Sequence, residues 1–164
     1  MFDFIIWIDG DSCPKILKDF LFRESRIKKI KICVVANREL KIPEDDFISM
    51  IVCPNVSGAA DDYIFEQCKG DDVVVTRDIV FADRLIEKGI FVMNDRGIVF
   101  TKDNIKDRLR EREFNMNLSI LGLNENAQSR YGQKELEKFS YIFERHISQL
   151  IVNDTFKKAR ISNI

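Results

Sequence analysis

The residues best suited to chemistry are aspartates that stand just past strand-like apolar runs: Asp9, Asp11, Asp78 and Asp95. Another, Asp61, shares a helical face with Ile64 and Phe65 and is expected to point inward. Because the carboxyl ends of parallel strands meet at one edge of a sheet, we expect these carboxylates to lie close together. Close carboxylates repel by several kcal/mol at the effective dielectric of ~20 that suits protein sites, so the group requires a compensating cation.

The cation that best suits such an oxygen-rich group is Mg²⁺ or Mn²⁺. Either ion lowers the pKa of a bound water, orients it in line with a phosphodiester and stabilises charge on the departing oxygen. The chain has a single histidine, His146, which excludes most serine, cysteine and zinc chemistry that depends on histidine. The pattern therefore indicates a nuclease that works through carboxylates and a metal ion.

Aspartate is also a common helix N-cap and turn residue, which gives Asp78 and Asp95 a structural interpretation. Asp83 falls one turn after Ile79, beside the buried face of its own helix. The Asp9-Gly-Asp11 sequence is more specific, because two acids directly after an apolar strand cost stability unless they are used. It is the strongest chemical signal in the chain.

Other polar residues have structural interpretations. Cys13 has no histidine nearby in sequence to activate its thiol, which favours a structural role. The basic residues between positions 102 and 112 alternate with acids at salt-bridging intervals, which predicts a solvated helix face rather than a phosphate contact. His146 is expected on a helix surface.

Alternating strands and helices must position the acids. Strands are predicted at Phe4 to Ile8, Ile30 to Val35, Ile48 to Cys53, Val73 to Val75, Ile90 to Met93 and Ile98 to Phe100. Helices are predicted after Ser12 as N-cap, from Ser57 to about Cys68, after Asp78 as N-cap, from Thr101 onward, and from Glu135 to about Val152. Val73 to Val75 is the predicted central strand, the last two strands are expected to form a hairpin, and a polar break is predicted at 124–132.

This order of elements predicts an α/β fold with three layers, a mostly parallel central sheet and a helical C-terminal extension. We expect one domain over residues 1–152, followed by a tail at 153–164 that is frayed. The hydrophobic content of 45% is enough to fill one core.

The balance of charges limits which kinds of partner the protein is expected to bind. There are 26 Lys and Arg against 27 Asp and Glu, so no global field favours nucleic acid or membrane, and any nucleic-acid binding must be local. The four cysteines form no Cys-x-x-Cys pair and are expected to be buried and reduced. The N-terminus does not resemble a signal peptide, and no stretch approaches the ~18 apolar residues of a membrane span. We therefore predict a cytoplasmic protein with no membrane partner.

Several motifs together resemble the YaiI/YqxD family of small, uncharacterised bacterial proteins. They are Asp9-Gly-Asp11-Ser-Cys13-Pro14, Val35-Ala-Asn37, Ala60-Asp61, Val75-Thr76-Arg-Asp78, Glu87-Lys-Gly89 and Asn94-Asp-Arg96-Gly97. The first motif is the most specific, and the resemblance extends over residues 5 to 150. The fold of that family is grouped with PIN-like and NYN nuclease domains, so the resemblance implies a PIN-like, Rossmann-like domain.

The same resemblance implies a site. The acidic site of PIN-like nucleases maps onto Asp9, Asp61 and Asp78 as catalytic metal ligands, with Asp11 and Asp83 as further ligands. The residues expected to contact substrate are Asn37, Thr76, Arg77 and Arg96. The implied cofactor is Mg²⁺ or Mn²⁺, and the implied partner is RNA or other single-stranded nucleic acid.

The chain departs from the family pattern at three positions. Val80 stands where a proline is expected, Arg77 replaces a small residue, and Asp95 stands in place of the proline of an Asn-Pro-Arg-Gly motif.

Two other functions remain open from the sequence. A haloacid-dehalogenase-like phosphatase would use Asp9 as its nucleophile and Thr76 as its second motif, although a matching lysine and late acid pair are lacking. A non-catalytic module would use the acids to bind nucleic acid through a metal ion or to bind a protein partner.

Overall fold

The computed structural model describes residues 1–123 and 130–163, and within these ranges strands and helices alternate. The strands are β1 (Ile5–Asp9), β2 (Lys31–Ala36), β3 (Ile48–Val52), β4 (Val73–Val75), β5 (Phe91–Met93) and β6 (Val99–Phe100). The helices are α1 (Lys15–Lys28), α2 (Ala59–Gln67), α3 (Ile79–Glu87), α4 (Ile105–Ile120) and α5 (Gln133–Ser162). The predicted α/β class and order of elements are confirmed.

The described strands form one sheet in the order β3-β2-β1-β4-β5-β6. All neighbouring pairs are parallel except β5 and β6, which form the predicted hairpin. The chain moves outward from β1 to β3, returns to β4 at the centre, and continues toward the other edge. The point where β1 meets β4 is therefore the topological switch point, where open α/β sheets bind ligands.

Side chains that alternate along the central strands build two cores, one on each face of the sheet. Ile6 and Ile8 of β1 pack toward α1 and α5, whereas Trp7 between them packs toward α2 and α3. This alternation follows from the period of two of an extended strand. The predicted three-layer arrangement, with helices on both faces of a mostly parallel sheet, is confirmed.

Helix α5 covers one face of the sheet with an apolar stripe. Phe139, Phe143, Ile147 and Leu150 recur at intervals of three and four and are all buried. The rings of Phe139 and Phe143 meet Phe20 of α1 edge-on, with centroids 6.2 and 6.1 Å away. These contacts attach the helical C-terminal extension to the sheet.

The start of α1 differs from the prediction. The helix begins at Lys15 with Pro14 before it, and no side chain caps its N-terminus. Ser12 was expected to be the cap, but its hydroxyl instead lies 3.1 Å from Oδ2 of Asp9. The prediction was wrong because Pro14 keeps the preceding backbone out of the helical region, which leaves residues 10–13 as a turn.

Helix α4 is exposed over most of its length, whereas α5 is buried along one stripe. In α4 only Ile105 is buried, and α5 continues through residue 152 to Ser162. Within the final turns of α5, Asp154 is buried and accepts a hydrogen bond from the backbone of Asp3. The predicted polar break at 124–132 lies mostly outside the described residues.

His146 is not the simple surface residue that was predicted. Its ring is half-buried and stacks on Phe91 of β5, with centroids 3.6 Å apart and planes 6° apart. Burial lowers the pKa of His146, and its buried Nε2 has no hydrogen-bond partner among the described residues. None of the described helices is long and apolar enough to cross a membrane.

Candidate functional site

Four of the predicted acids line one cavity at the carboxyl edge of the sheet: Asp9, Asp11, Asp61 and Asp78. We call it the carboxylate cavity. Its volume is about 520 Å³, and its other walls include Asn37, Arg77 and Arg112. The acids come from the ends of β1 and β4 and the first turn of α2, so the topological switch point brings together residues that are far apart in sequence.

Asp9 is the innermost of the four acids. It is 8% exposed at the last position of β1, because its neighbours Ile8 and Val35 are paired in the sheet. Its Oδ2 accepts hydrogen bonds from Thr76 Oγ1 at 3.0 Å and from Ser12 Oγ at 3.1 Å. Burial raises the pKa of Asp9, the two hydroxyls oppose that shift, and the charges of neighbouring acids add to it.

Gly10 allows the chain to turn sharply between the first two acids. A Cβ at this position would lie 2.8 Å from Val34 Cγ1 and 2.9 Å from Leu40 Cδ1, closer than side chains pack. The backbone N–H of Gly10 also donates to the carbonyl of Val35 at 2.8 Å. The glycine is therefore required by the close approach of β2 and the loop that follows it.

Asp11 faces the segment after β2. Its Oδ2 accepts a hydrogen bond from the backbone N–H of Asn37 at 3.0 Å, and Arg38 Nε lies 3.6 Å from its Oδ1. The side chain of Asn37 lines the carboxylate cavity, and its buried Oδ1 has no hydrogen-bond partner among the described residues. A buried polar atom without a partner is rare in folded proteins and is a feature of sites that bind a ligand or an ordered water.

Asp61 is the acid of the cavity whose pKa is raised to near neutrality. It is half-buried in the first turn of α2, whereas the adjacent Asp62 points to solvent and pairs with Arg84 at 3.0 Å, as the helical phase predicted. Burial raises the pKa of Asp61 to about 7, and the charges of Asp9 and Asp78 add to the shift. A carboxyl group with a pKa this far raised by burial and by neighbouring acids is typical of functional sites.

Asp78 has both of the roles that the sequence left open. It is the N-cap of α3, because its Oδ1 accepts a hydrogen bond from the backbone N–H of Phe81 at 3.1 Å. It also lines the carboxylate cavity, and its charge contributes to the raised pKa of Asp61. Capping orients one oxygen along the helix axis.

Thr76 was predicted to contact substrate, but the structure gives it a different position. It is 2% exposed, and its hydroxyl donates to Asp9 and accepts from the backbone N–H of Asp78 at 3.1 Å. Thr76 therefore links Asp9 to the backbone of Asp78. Its role is to position them, because it is absent from the walls of the cavity.

Arg77 lies at the boundary between the carboxylate cavity and a second cavity beside it. Its Nε donates to Oδ2 of Asp95 at 2.6 Å, and Asp95 is 3% exposed. The guanidinium of Arg77 thus supplies the partner that the buried carboxylate of Asp95 requires.

The remaining predicted residues lie outside the carboxylate cavity. Arg96 lines the second cavity, where it lies 3.7 Å from Glu135 of α5. Asp83 lies one turn into α3 and lines neither cavity. Cys13 is half-buried near Asp9, and burial raises the pKa of its thiol to about 12, which favours the predicted structural role over a nucleophilic one.

The sequence interpretation missed Arg112. It was assigned to a solvated helix face, and two pairs on that helix do match that description, Arg110 with Asp107 and Arg108 with Glu111. Arg112 is exposed, as that assignment predicted, but it also lines both cavities. No local pattern could reveal this, because α4 reaches the site only through tertiary packing against α3.

The donor set of the carboxylate cavity fits a hard divalent cation. The walls supply carboxylate oxygens and the amide oxygen of Asn37, which are the ligands that Mg²⁺ and Mn²⁺ take in proteins. Within residues 1–123 and 130–163, no three acids, cysteines or histidines are already grouped as metal ligands. Asp9, Asp11 and Asp78 are each hydrogen-bonded to neighbouring protein groups instead.

Comparison with known proteins places the chain among bacterial relatives. A sequence model described as the uncharacterised YaiI/YqxD family matches residues 7–149. A protein of Treponema denticola named only "UPF0178 protein" is 37% identical over 89% of this chain and 93% of its own length. Proteins of the same name from Pseudoalteromonas atlantica and Shewanella sediminis are 35% and 33% identical over 88% of this chain and at least 96% of theirs.

No solved structure matches the chain, so the PIN-like assignment of the fold stays a prediction. The family itself is shown by both kinds of sequence match, and Asp9, Asp11, Asp61 and Asp78 lie within residues 7–149, which the family model matches. The chain belongs to the YaiI/YqxD family of uncharacterised bacterial proteins.

Proposed function

We propose that this protein is a nuclease that depends on a divalent metal ion and cleaves RNA or other single-stranded nucleic acid. One observation carries the proposal: four carboxylates from three elements line a single cavity, where burial raises the pKa of Asp61 to about 7 and the charges of Asp9 and Asp78 add to the shift. Concentrated negative charge of this kind destabilises the folded protein unless a cation offsets it.

Asp9, Asp61 and Asp78 are the proposed ligands of Mg²⁺ or Mn²⁺, with Asp11 as an additional ligand. When bound, the ion would lower the pKa of a water molecule and balance the charge that develops on a phosphodiester. Asp83 is not part of this proposal, since it does not line the cavity.

The other residues of the cavity have supporting roles. Thr76 and Ser12 hold the carboxylate of Asp9 in one orientation through their hydrogen bonds. Arg77 and Arg112 would bind the phosphate that the carboxylates alone would repel. A cavity lined by both acids and arginines suits phosphoryl transfer, in which catalysis is mostly positioning and charge stabilisation.

The phosphatase alternative has less support. A nucleophilic aspartate must reach the phosphorus atom, but Asp9 is 8% exposed and its Oδ2 already accepts two hydrogen bonds. Among the described residues, no lysine lines the carboxylate cavity. These features favour Asp9 as a fixed ligand over Asp9 as a nucleophile.

The test is cleavage of labelled single-stranded RNA by the purified protein in Mn²⁺. We expect the wild type to cleave and Asp9→Asn to lose at least about 100-fold in rate, because removal of one ligand removes transition-state stabilisation of several kcal/mol. The control is Asp62→Asn, whose carboxylate is exposed and pairs with Arg84 outside the cavity. Equal rates in wild type and Asp9→Asn would contradict the proposal, as would equal losses in both variants.

A further inference from the structure

A second and larger cavity adjoins the carboxylate cavity. We call it the arginine cavity, because Arg77, Arg96, Arg108 and Arg112 line it. Its volume is about 640 Å³, and it shares Arg77, Ile79 and Arg112 with the carboxylate cavity. A ligand that occupies one cavity can therefore extend directly into the other.

One face of α4 forms a long wall of the arginine cavity. The wall residues recur at helical spacing: Arg108, Arg112, Asn115, Met116, Ser119 and Ile120. Because a helix rises 1.5 Å per residue, this face is about 18 Å long. Arg112 borders the carboxylate cavity, whereas Met116 and Ile120 lie about one and two turns further along α4 and are 49% and 80% exposed.

The charge of the arginine cavity is opposite to that of its neighbour. The four arginines face two acids, Asp95 and Glu111, which leaves a surplus of two positive charges. Asp95 is buried beneath Arg77, and Glu111 meets Arg108 at 3.7 Å in solvent. Arg112 has no ion pair with any residue in the described part of the chain, although it lies between the two cavities.

We propose that the arginine cavity binds single-stranded nucleic acid next to the carboxylate cavity, an inference that rests on the proposed function only for the place of the cleaved bond. Phosphates of the strand would contact Arg108 and Arg112. Unstacked bases would pack on the apolar end of the wall at Met116 and Ile120. A duplex presents no unstacked base faces to such a wall, so we expect a single strand rather than a duplex to bind there.

The experiment measures the binding of a labelled 2′-O-methyl oligouridylate of about 12 nucleotides by fluorescence anisotropy, in EDTA so that no metal-dependent cleavage occurs. We expect Arg112→Gln to weaken binding about tenfold and to reduce the slope of log affinity against log salt by about 0.7, since one phosphate contact is lost. Ile120→Ser is expected to weaken binding severalfold and to leave the salt slope unchanged, because it removes an apolar contact and no charge.

The matched control is Arg110→Gln, on the same helix, whose exposed side chain pairs with Asp107 and lines neither cavity. It should bind as the wild type does. Equal losses in Arg110→Gln and Arg112→Gln would overturn the proposal, because attraction would then be diffuse. So would equal competition by a duplex of the same length or by a polyglutamate peptide, or no effect of Ile120→Ser.

The outcomes separate this inference from the proposed function. Binding in EDTA that depends on Arg112, with no cleavage in Mn²⁺, would support the arginine cavity and contradict the nuclease. Cleavage that depends on Asp9, with unchanged kcat/KM for Ile120→Ser, would support the nuclease and contradict the role of the arginine cavity, because Ile120 lines only that cavity.

Discussion

At the scale of single residues, Asp61 combines two opposing influences. It lies in the first turn of α2, where the helix dipole favours a negative charge, yet burial and the charges of Asp9 and Asp78 raise its pKa to about 7. The unfavourable influences dominate, because burial and like charges both disfavour the ionised form. A residue that destabilises the fold in this way is typical of a functional site.

We expect Asp61→Asn to stabilise the protein in metal-free buffer. The folded-state pKa is above the ordinary 3.8, so the folded protein keeps a proton that the unfolded chain releases, and stability falls as pH rises from about 4 to about 7. At pH ~8 the variant should therefore be more stable by about 1–2 kcal/mol, a value reduced for solvent screening of a half-buried group. The gain should disappear toward pH ~4.

Urea denaturation over this pH range measures the effect. Asp62→Asn is the control for loss of a neighbouring carboxylate on the same helical turn, because Asp62 is exposed and pairs with Arg84 outside the carboxylate cavity. A gain for Asp61→Asn that is constant with pH would show that its cause is packing rather than charge.

The individual residues of the site were predictable to different degrees. Asp9 and Asp11 stood out because acids rarely follow an apolar strand directly, and the inward direction of Asp61 followed from the phase of its helix. The buried position of Thr76 could not be predicted. The local sequence does not determine whether a polar residue at a strand end faces the cavity or the core. Arg112 depended on a helix whose place in the fold no local pattern specifies.

At the scale of elements, the β5–β6 hairpin depends on one glycine where it meets α5. Gly97 has φ +82°, and a Cβ there would lie 2.5 Å from the carbonyl oxygen of Lys138. We expect Gly97→Ala to destabilise the protein by about 3 kcal/mol or more, since left-handed strain adds to a clash with helix backbone. Thermal or urea unfolding measures the loss.

Gly89 at the end of α3 provides the matched comparison. It has φ +87°, but nothing lies within 4 Å of the position its Cβ would take. Gly89→Ala should therefore cost only the left-handed strain, about 1–2 kcal/mol. If the two substitutions reduce stability equally, the hairpin and α5 move apart at little energetic cost, which would contradict the prediction.

Most elements were predictable because apolar runs bounded by glycine, proline and aspartate leave few alternatives. The Val73–Val75 strand matches the structure at both ends, and the Asp78 cap is present. The cap at Ser12 failed because Pro14 leaves residues 10–13 as a turn, in which the Ser12 hydroxyl lies 3.1 Å from Oδ2 of Asp9. His146 failed because its stacking partner, Phe91, lies far away in the chain.

At the scale of the whole molecule, the protein separates charge at one edge of its sheet although its net charge is only -1. The carboxylate cavity gathers four acids at the switch point between β1 and β4, and the arginine cavity gathers four arginines beside it. The sequence predicted that any nucleic-acid binding must be local, and it could not reveal that a late helix supplies much of the positive side.

The central claim is that the carboxylate cavity binds a divalent ion, and calorimetric titration with Mn²⁺ tests it most directly. We predict saturable binding to the wild type and to Asp62→Asn, and at least about a tenfold loss of affinity in Asp9→Asn, because one charged ligand is removed. Wild-type protein that takes up no Mn²⁺, or Asp9→Asn that binds it as tightly as the wild type, would contradict the account.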